Sequence, residues 1–337
     1  MDAYLERRTI LLTIQEGANK IARMCMGVKA GERVVIITDL SRPASLGSAL
    51  QKACMDLGAE AVLITIDSHL VNGQLPDSVG RAICFADVLF CVTANTLAYT
   101  KAVDACKKNG CRVATITDVL EDAFMKGSIE ANYEAMAPVI AEVEKAFNEA
   151  SHVQITAPGG TSITLSIQGR KAFTCPGVLH APGGLIGLPA MEVYIAPVED
   201  QTNGILVADA SGSGLGKLED PVRISIEAGR AYDISGGKQA KMLADRLKAT
   251  NNPNSYVIAE FAIGLNPFAE LVGHIAIDEG IYGTGHFALG NNLGFAGKND
   301  APQHLDMVYW KPTIYLDEKL FMKDGRLVEL DHLIPKA

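Results

Sequence analysis

Four short runs of β-branched and aliphatic residues, separated by helical patterns, constrain the first 150 residues more than any other feature. Val34-Val35-Ile36-Ile37-Thr38 follows Gly31, and Ala61 to Ile66 follows Gly58. Val88 to Val92 and Val113 to Ile116 complete the set. Continuous apolar strands of this length, alternating with helices, imply a parallel sheet covered on both faces. Leu46, Leu50, Ala53 and Leu57 fall at helical spacing, and Gly58 then acts as a stop signal. The expected fold is a doubly wound α/β domain over 1–150.

The style changes after residue 150. A linking helix is expected over 131–149, with Met136, Val139, Ile140, Val143 and Phe147 on one side. Short strands rich in glycine follow: 153–156, 162–167, 192–196, 204–207, 222–226 and 231–234. One helix, Lys238 to Ala249, interrupts them, and Pro182-Gly183-Gly184 reads as a loop leading towards Glu192. This pattern predicts a β-rich, partly barrel-like domain over 151–337. A chain of 337 residues with 48% hydrophobic content has material for two such cores.

Composition removes several classes of function. The net charge of −9 and the lack of a Lys/Arg cluster argue against nucleic acid or an anionic membrane as partner. No apolar run is long enough to span a bilayer, and Met1 to Arg8 lacks a signal-peptide core, so a cytoplasmic location is expected. The seven cysteines include no C-x-x-C pair and read as reduced thiols, mostly buried. Thr38-Asp39-Leu40-Ser41-Arg42-Pro43 after the first strand carries no nucleotide fingerprint; Asp39 and Ser41 read as helix caps, with a place in a substrate cleft as the alternative. The run from Gly212 to Lys217 lacks P-loop spacing and reads as a hairpin turn. There is no G-x-S-x-G nucleophile elbow.

The chemistry-bearing residues lie in the second domain. In His304-Leu305-Asp306 an imidazole and a carboxylate two apart on a strand share a face. Glu260 stands within the apolar run Tyr256 to Ile263, where a buried carboxylate needs a metal or a paired cation such as arginine. Glu192 has a similar setting, and His286 follows the small residues Gly283-Thr284-Gly285, which permit close backbone approach. Two imidazoles and three carboxylates suit zinc, manganese, cobalt or iron. With Glu260 bridging, the set holds two ions; with His286, His304 and Asp306 alone, it forms a two-His, one-carboxylate site for one iron.

Residues 185 to 330 resemble the aminopeptidase T family of metallopeptidases. The matching stretches are Met191 to Pro197, Ala259 to Gly264, His286 to Gly290 and His304 to Asp306, in the family's order. The resemblance implies a pair of metal ions held by Glu192, Glu260, His286, His304 and Asp306, with Glu260 as the bridge. It also points to Glu279 as an acidic residue near the substrate. The same fold is similar to that of the 2,5-dihydroxypyridine dioxygenases, which hold a single iron. One departure stands out: where those peptidases carry a tyrosine after Ala-Leu-Gly, this chain has Leu293.

The expectation is therefore a metallo-aminopeptidase-like hydrolase using zinc, cobalt or manganese. Glu192 and Glu279 would be its catalytic groups, a peptide or small amide its substrate and a homo-oligomer its assembly. The alternatives are an iron(II) ring-cleaving dioxygenase of a hydroxylated N-heterocycle and a non-catalytic metal-binding protein.

Overall fold

The computed structural model describes residues 11–69 and 74–335. The leader expectation for Met1 to Arg8 lies outside the described residues. The chain divides into two compact units, 1–130 with 178–188, and 131–177 with 189–337.

The first unit is α/β. Its five-stranded sheet runs in the order Glu60–Ile66, Arg33–Asp39, Val88–Val92, Arg112–Thr115, Leu185–Gly187, and every pairing is parallel. The central strands are buried as their continuous apolar runs require, whereas Glu60–Ile66, at the edge, alternates in exposure. Leu46, Leu50 and Ala53 of the Ala44–Asp56 helix are buried, and Gly58 beyond its end takes φ +84°. The fifth strand follows Pro182-Gly183-Gly184, so that loop feeds this sheet directly.

Asp39 and Ser41 do not cap the helix; its N-cap is Pro43, which makes no side-chain capping bond. Instead Asp39 Oδ1 accepts from the Ser41 backbone N–H at 2.9 Å, and Oδ2 accepts from the Ala94 N–H at 2.6 Å. The carboxylate thus ties together the loops after two adjacent strands. The seven cysteines are free, and all but Cys84 are buried.

A buried charge anchors this unit. Arg112 opens its strand at 5% exposure. Its guanidinium donates to Glu32 at 2.8 and 3.1 Å and to the Met26 carbonyl at 3.1 Å. Breaking such a pair strands a charge in a poor solvent.

The second unit is β-rich. One antiparallel sheet has eight strands, among them Val222–Glu227, Thr202–Ala208, Ser162–Ser166 and His152–Thr156. The other has seven, in the order Gly216–Lys217, Ser211–Gly212, His304–Trp310, Thr284–Gly290, Ile258–Gly264, Glu192–Ile195, Ala172–Cys175. The helix Tyr133–Glu149 buries Met136, Val139, Ile140, Val143 and Phe147, and Phe147 stacks on Phe261 at 5.3 Å. Phe261, Phe287 and Tyr309 continue that apolar layer across three strands at 5.4 and 6.1 Å. Lys238–Ala249 is helical. Among the described residues no helix is long and apolar enough to cross a membrane.

Glu32→Gln tests the buried pair. Urea unfolding near neutral pH is expected to show a loss of about 1–3 kcal/mol, because Glu32 itself is only part-buried. Burial raises the Glu32 carboxyl, but the Arg112 hydrogen bonds hold it below the usual glutamate range. Its contribution is therefore complete above the ordinary glutamate pKa and fades as the pH falls through the lowered one. The difference between variant and parent should shrink in acid accordingly.

Candidate metal centre

The seven-stranded sheet gathers the predicted donors on one face by register. Residues directly opposite on antiparallel strands share a face. Ala262 pairs with Tyr194 on one side and His286 on the other, while Ala288 pairs with Glu260 and Asp306. Glu192 pairs with Gly264, and His304 with Gly290. Small residues thus alternate with donors across the strands and leave room between them.

A β-bulge sets Glu260. Ile258 pairs with Leu289, but the next pair is Glu260 with Ala288, so Ala259 is the extra residue. Without the bulge, Glu260 would share the face of Ile258, with the apolar layer. The bulge turns it towards the histidines, which is a common use of bulges near active sites. Close backbone approach matters at Gly264, where a Cβ would lie 2.6 Å from the Glu279 carbonyl oxygen. At Gly285, just before His286, a Cβ would lie 2.6 Å from the Tyr309 hydroxyl.

The distances are short. Glu260 turns Oε1 to His286 Nε2 at 3.2 Å and Oε2 to His304 Nε2 at 3.3 Å. Glu192 Oε2 is 3.4 Å from His286 Nε2, and Asp306 Oδ1 is 3.1 Å from His304 Nε2. The arginine partner considered for Glu260 is not what the fold supplies; among the described residues its ion pairs are to the two imidazoles. Glu260, Asp306 and His286 are buried, at 5%, 8% and 1% exposure.

Further side chains orient these donors. His304 Nδ1 lies 2.7 Å from the Asn291 carbonyl, an acceptor only, so Nδ1 carries the hydrogen. His304 Nε2 therefore aims at two carboxylates either a lone pair or, in the imidazolium, a proton. Ser213 Oγ donates to Asp306 Oδ2 at 3.1 Å and accepts from the Asp306 N–H at 2.9 Å. Ser213 sits in the turn between Ser211–Gly212 and Gly216–Lys217, which do pair as a hairpin. The sequence marked that turn without marking Ser213, because a serine contact ninety-three residues away leaves no local signature.

The electrostatics call for a cation. Burial lowers the His304 imidazole, yet Asp306 and Glu260 outweigh it and push its pKa well above the usual range. Burial raises Asp306, but His304 holds it down at about 2. Glu192 is pushed up to about 7 by burial, with the charges of Glu260 and Asp306 adding to the effect. Glu279 is raised well above its ordinary value by burial and by the charges of Glu192, Asp306 and Glu260.

These donors fit a divalent metal. Ligands about 2.1 Å from one ion and at right angles to each other lie about 3 Å apart, close to the separations found here. His286 Nδ1 is buried without a hydrogen-bond partner, so its other nitrogen is the one committed to the cluster. Three compact groups form: Glu192, Glu260 and His286; Glu260, His304 and Asp306; and Glu279, His286 and Asp306. None of these three groups contains both imidazoles, and Glu260 lies within hydrogen-bond reach of each, at 3.2 and 3.3 Å. A groove of about 410 Å³ lined by Glu142, Phe321 and Leu327 lies elsewhere in this unit and includes none of the donors.

Fold and site together define an enzyme with a buried carboxylate and imidazole centre suited to a metal. The profile of the family described as "NicX: 2,5-dihydroxypyridine 5,6-dioxygenase" matches residues 18–329, and the chain belongs to that family. A 2,5-dihydroxypyridine 5,6-dioxygenase from Pseudomonas putida is 27% identical over 197 residues, which is 55% of this chain and 56% of that protein. The alignment thus spans about half of the relative's length. The solved 2,5-dihydroxypyridine dioxygenase from Pseudomonas putida KT2440 superposes with a TM-score of 0.79 at 19% identity, covering 94% of this chain and 97% of that one. Wild-type AmpT from Thermus thermophilus gives 0.70 at 16% identity, over 94% and 98%.

These matches correct the peptidase expectation. The motifs shared with aminopeptidase T mark a common fold, and the terms aminopeptidase, metalloprotease and hydrolase conflict with the family to which the chain belongs. Both solved neighbours superpose over 94% of this chain, so the likeness carries the architecture and not the reaction.

Ser213→Ala should lower metal affinity about ten- to a hundredfold, as loss of a ligand's hydrogen-bond partner does elsewhere. Chelator competition measures this, with circular dichroism checking the fold. Protons and metal compete for the same imidazole nitrogens. Apparent affinity in wild type should therefore fall about tenfold for each unit by which the pH is lowered, per proton displaced, and no pH dependence would contradict that competition.

Proposed function

We propose that this protein is a metal-dependent dioxygenase that opens the ring of a hydroxylated N-heterocycle, such as a dihydroxypyridine. The observation that carries the reading is the buried group Glu260, His304 and Asp306, compact enough for one ion, in a chain of the dioxygenase family. In this reading those three residues hold iron(II), and His286 and Glu192 flank the other oxygen of Glu260. When bound, iron(II) supplies the redox chemistry that lets dioxygen react with an electron-rich ring.

The chain's own residues do the rest. The Asn291 carbonyl fixes the tautomer and plane of His304, and Ser213 fixes Asp306. Glu192 and Glu279, both in groups with His286, would serve as the acid–base groups that exchange a proton with a ring hydroxyl, Glu192 as the acceptor. Burial of the cluster keeps water from the reacting ring.

A second occupancy has one specific observation in its favour. Glu260 gives one oxygen to each imidazole, so a second divalent ion, of zinc, cobalt or manganese type, fits beside Glu192 and His286.

Elemental analysis and oxygen-electrode measurements on the full chain test the proposal. One iron per chain is expected, with oxygen uptake on adding 2,5-dihydroxypyridine. Glu260→Gln should lose most of that uptake together with its iron. Two zinc ions per chain, and no oxygen uptake after iron reconstitution, would sink the reading.

A further inference from the structure

The aromatic residues of the seven-stranded sheet divide between its faces. Phe261, Phe287 and Tyr309 are fully buried in the apolar layer. Tyr194 shares the other face with Glu192, two residues before it on the same strand, and pairs across the sheet with Ala262, next to His286. Phe173 pairs with Tyr194 from the neighbouring strand, and the two rings stack at 5.9 Å and 23°. Phe295 meets both edge-on, at 5.5 Å from Tyr194 and 6.5 Å from Phe173. Its ring also meets the His304 imidazole edge-on at 5.7 Å and 89°. All three residues are half-buried, so aromatic surface remains on the donor face.

The turn carrying Phe295 is firmly held. Asn292 is fully buried; its side chain accepts from the Asn299 N–H at 2.7 Å and donates to the Ala259 carbonyl at 3.3 Å. Arg170 donates to the Ala296 carbonyl at 2.9 Å, and Asn299 donates to the Gly290 carbonyl at 2.6 Å. A rigid ring binds another ring at low entropic cost.

We infer that Phe173, Tyr194 and Phe295 form a ring-recognition wall beside the metal donors, which favours a planar aromatic ligand over a non-aromatic chelator. The inference rests on the dioxygenase reading for its ligand class. A metal held by the donors would bind any oxygen chelator, whereas stacked or edge-on ring contacts reward only a flat π-system. Tyr194 and Phe295, in contact with each other, stand beside Glu192 and His304, so the three rings form one border of the donor cluster.

Binding to the iron-loaded full chain without oxygen tests this by calorimetry. The probes are 2,5-dihydroxypyridine and acetohydroxamate, a chelator with no ring. Phe295→Leu should weaken the pyridine about five- to tenfold, leave acetohydroxamate within about twofold and retain its iron. Phe295→Tyr should restore the pyridine. Phe173→Leu, which lies away from His304, should show the same selective loss to a smaller degree. It decides the matter if Phe295→Leu loses metal or fails to fold.

Equal weakening of both probes, or of neither, overturns the wall. The two readings fail separately. If wild type binds the pyridine selectively but takes up no oxygen, the reaction assignment falls and the wall stands. If oxygen uptake persists with unchanged KM in both leucine variants, the wall falls and the reaction assignment stands.

Discussion

Everything in the second unit is arranged around carboxylates that water cannot solvate. Glu260 and Asp306 are almost wholly buried, and the partners turned towards them are two imidazoles. With the His304 Nδ1 hydrogen given to a carbonyl, the opposite nitrogen faces oxygen atoms carrying negative charge. That arrangement is repulsive unless a positive charge sits between them. Protons fill the role when nothing else does, which is why the imidazoles hold theirs so tightly. A divalent ion fills it better, because it satisfies several donors at once.

The sheet that presents these groups is shared by proteins whose names denote different reactions. AmpT and the pyridine dioxygenase both superpose on this chain over almost their whole lengths. A scaffold of antiparallel strands with small residues between donors holds a metal without dictating what it does. In this chain the segment after Gly290 carries Leu293 at the surface and Phe295 against His304.

Much of the fold was legible from local pattern. Continuous apolar runs gave the parallel strands, and the helix Lys238–Ala249 follows its own periodicity. The strand Leu185–Gly187 was not legible: three residues have no periodicity, and their place beside Arg112–Thr115 depends on a partner seventy residues earlier. The site was legible as a set of residue types in order, because burying a glutamate in an apolar strand demands a reason. Its geometry was not. The bulge at Ala259 breaks the alternation on which strand reading relies, so the side of the sheet that Glu260 faces could not be read from its strand. The reaction was the hardest part, since motifs that sit on a common sheet identify the sheet first.

Asn291 serves two masters. Its carbonyl accepts from His304, and its side-chain oxygen accepts from the N–H of Leu293, the first residue of the turn that ends in Phe295. Occupancy of the donors and order in that turn are therefore thermodynamically reciprocal. A ligand that stiffens the turn and thereby tightens the grip on the cation is itself held more tightly, by the same factor, once the cation is bound.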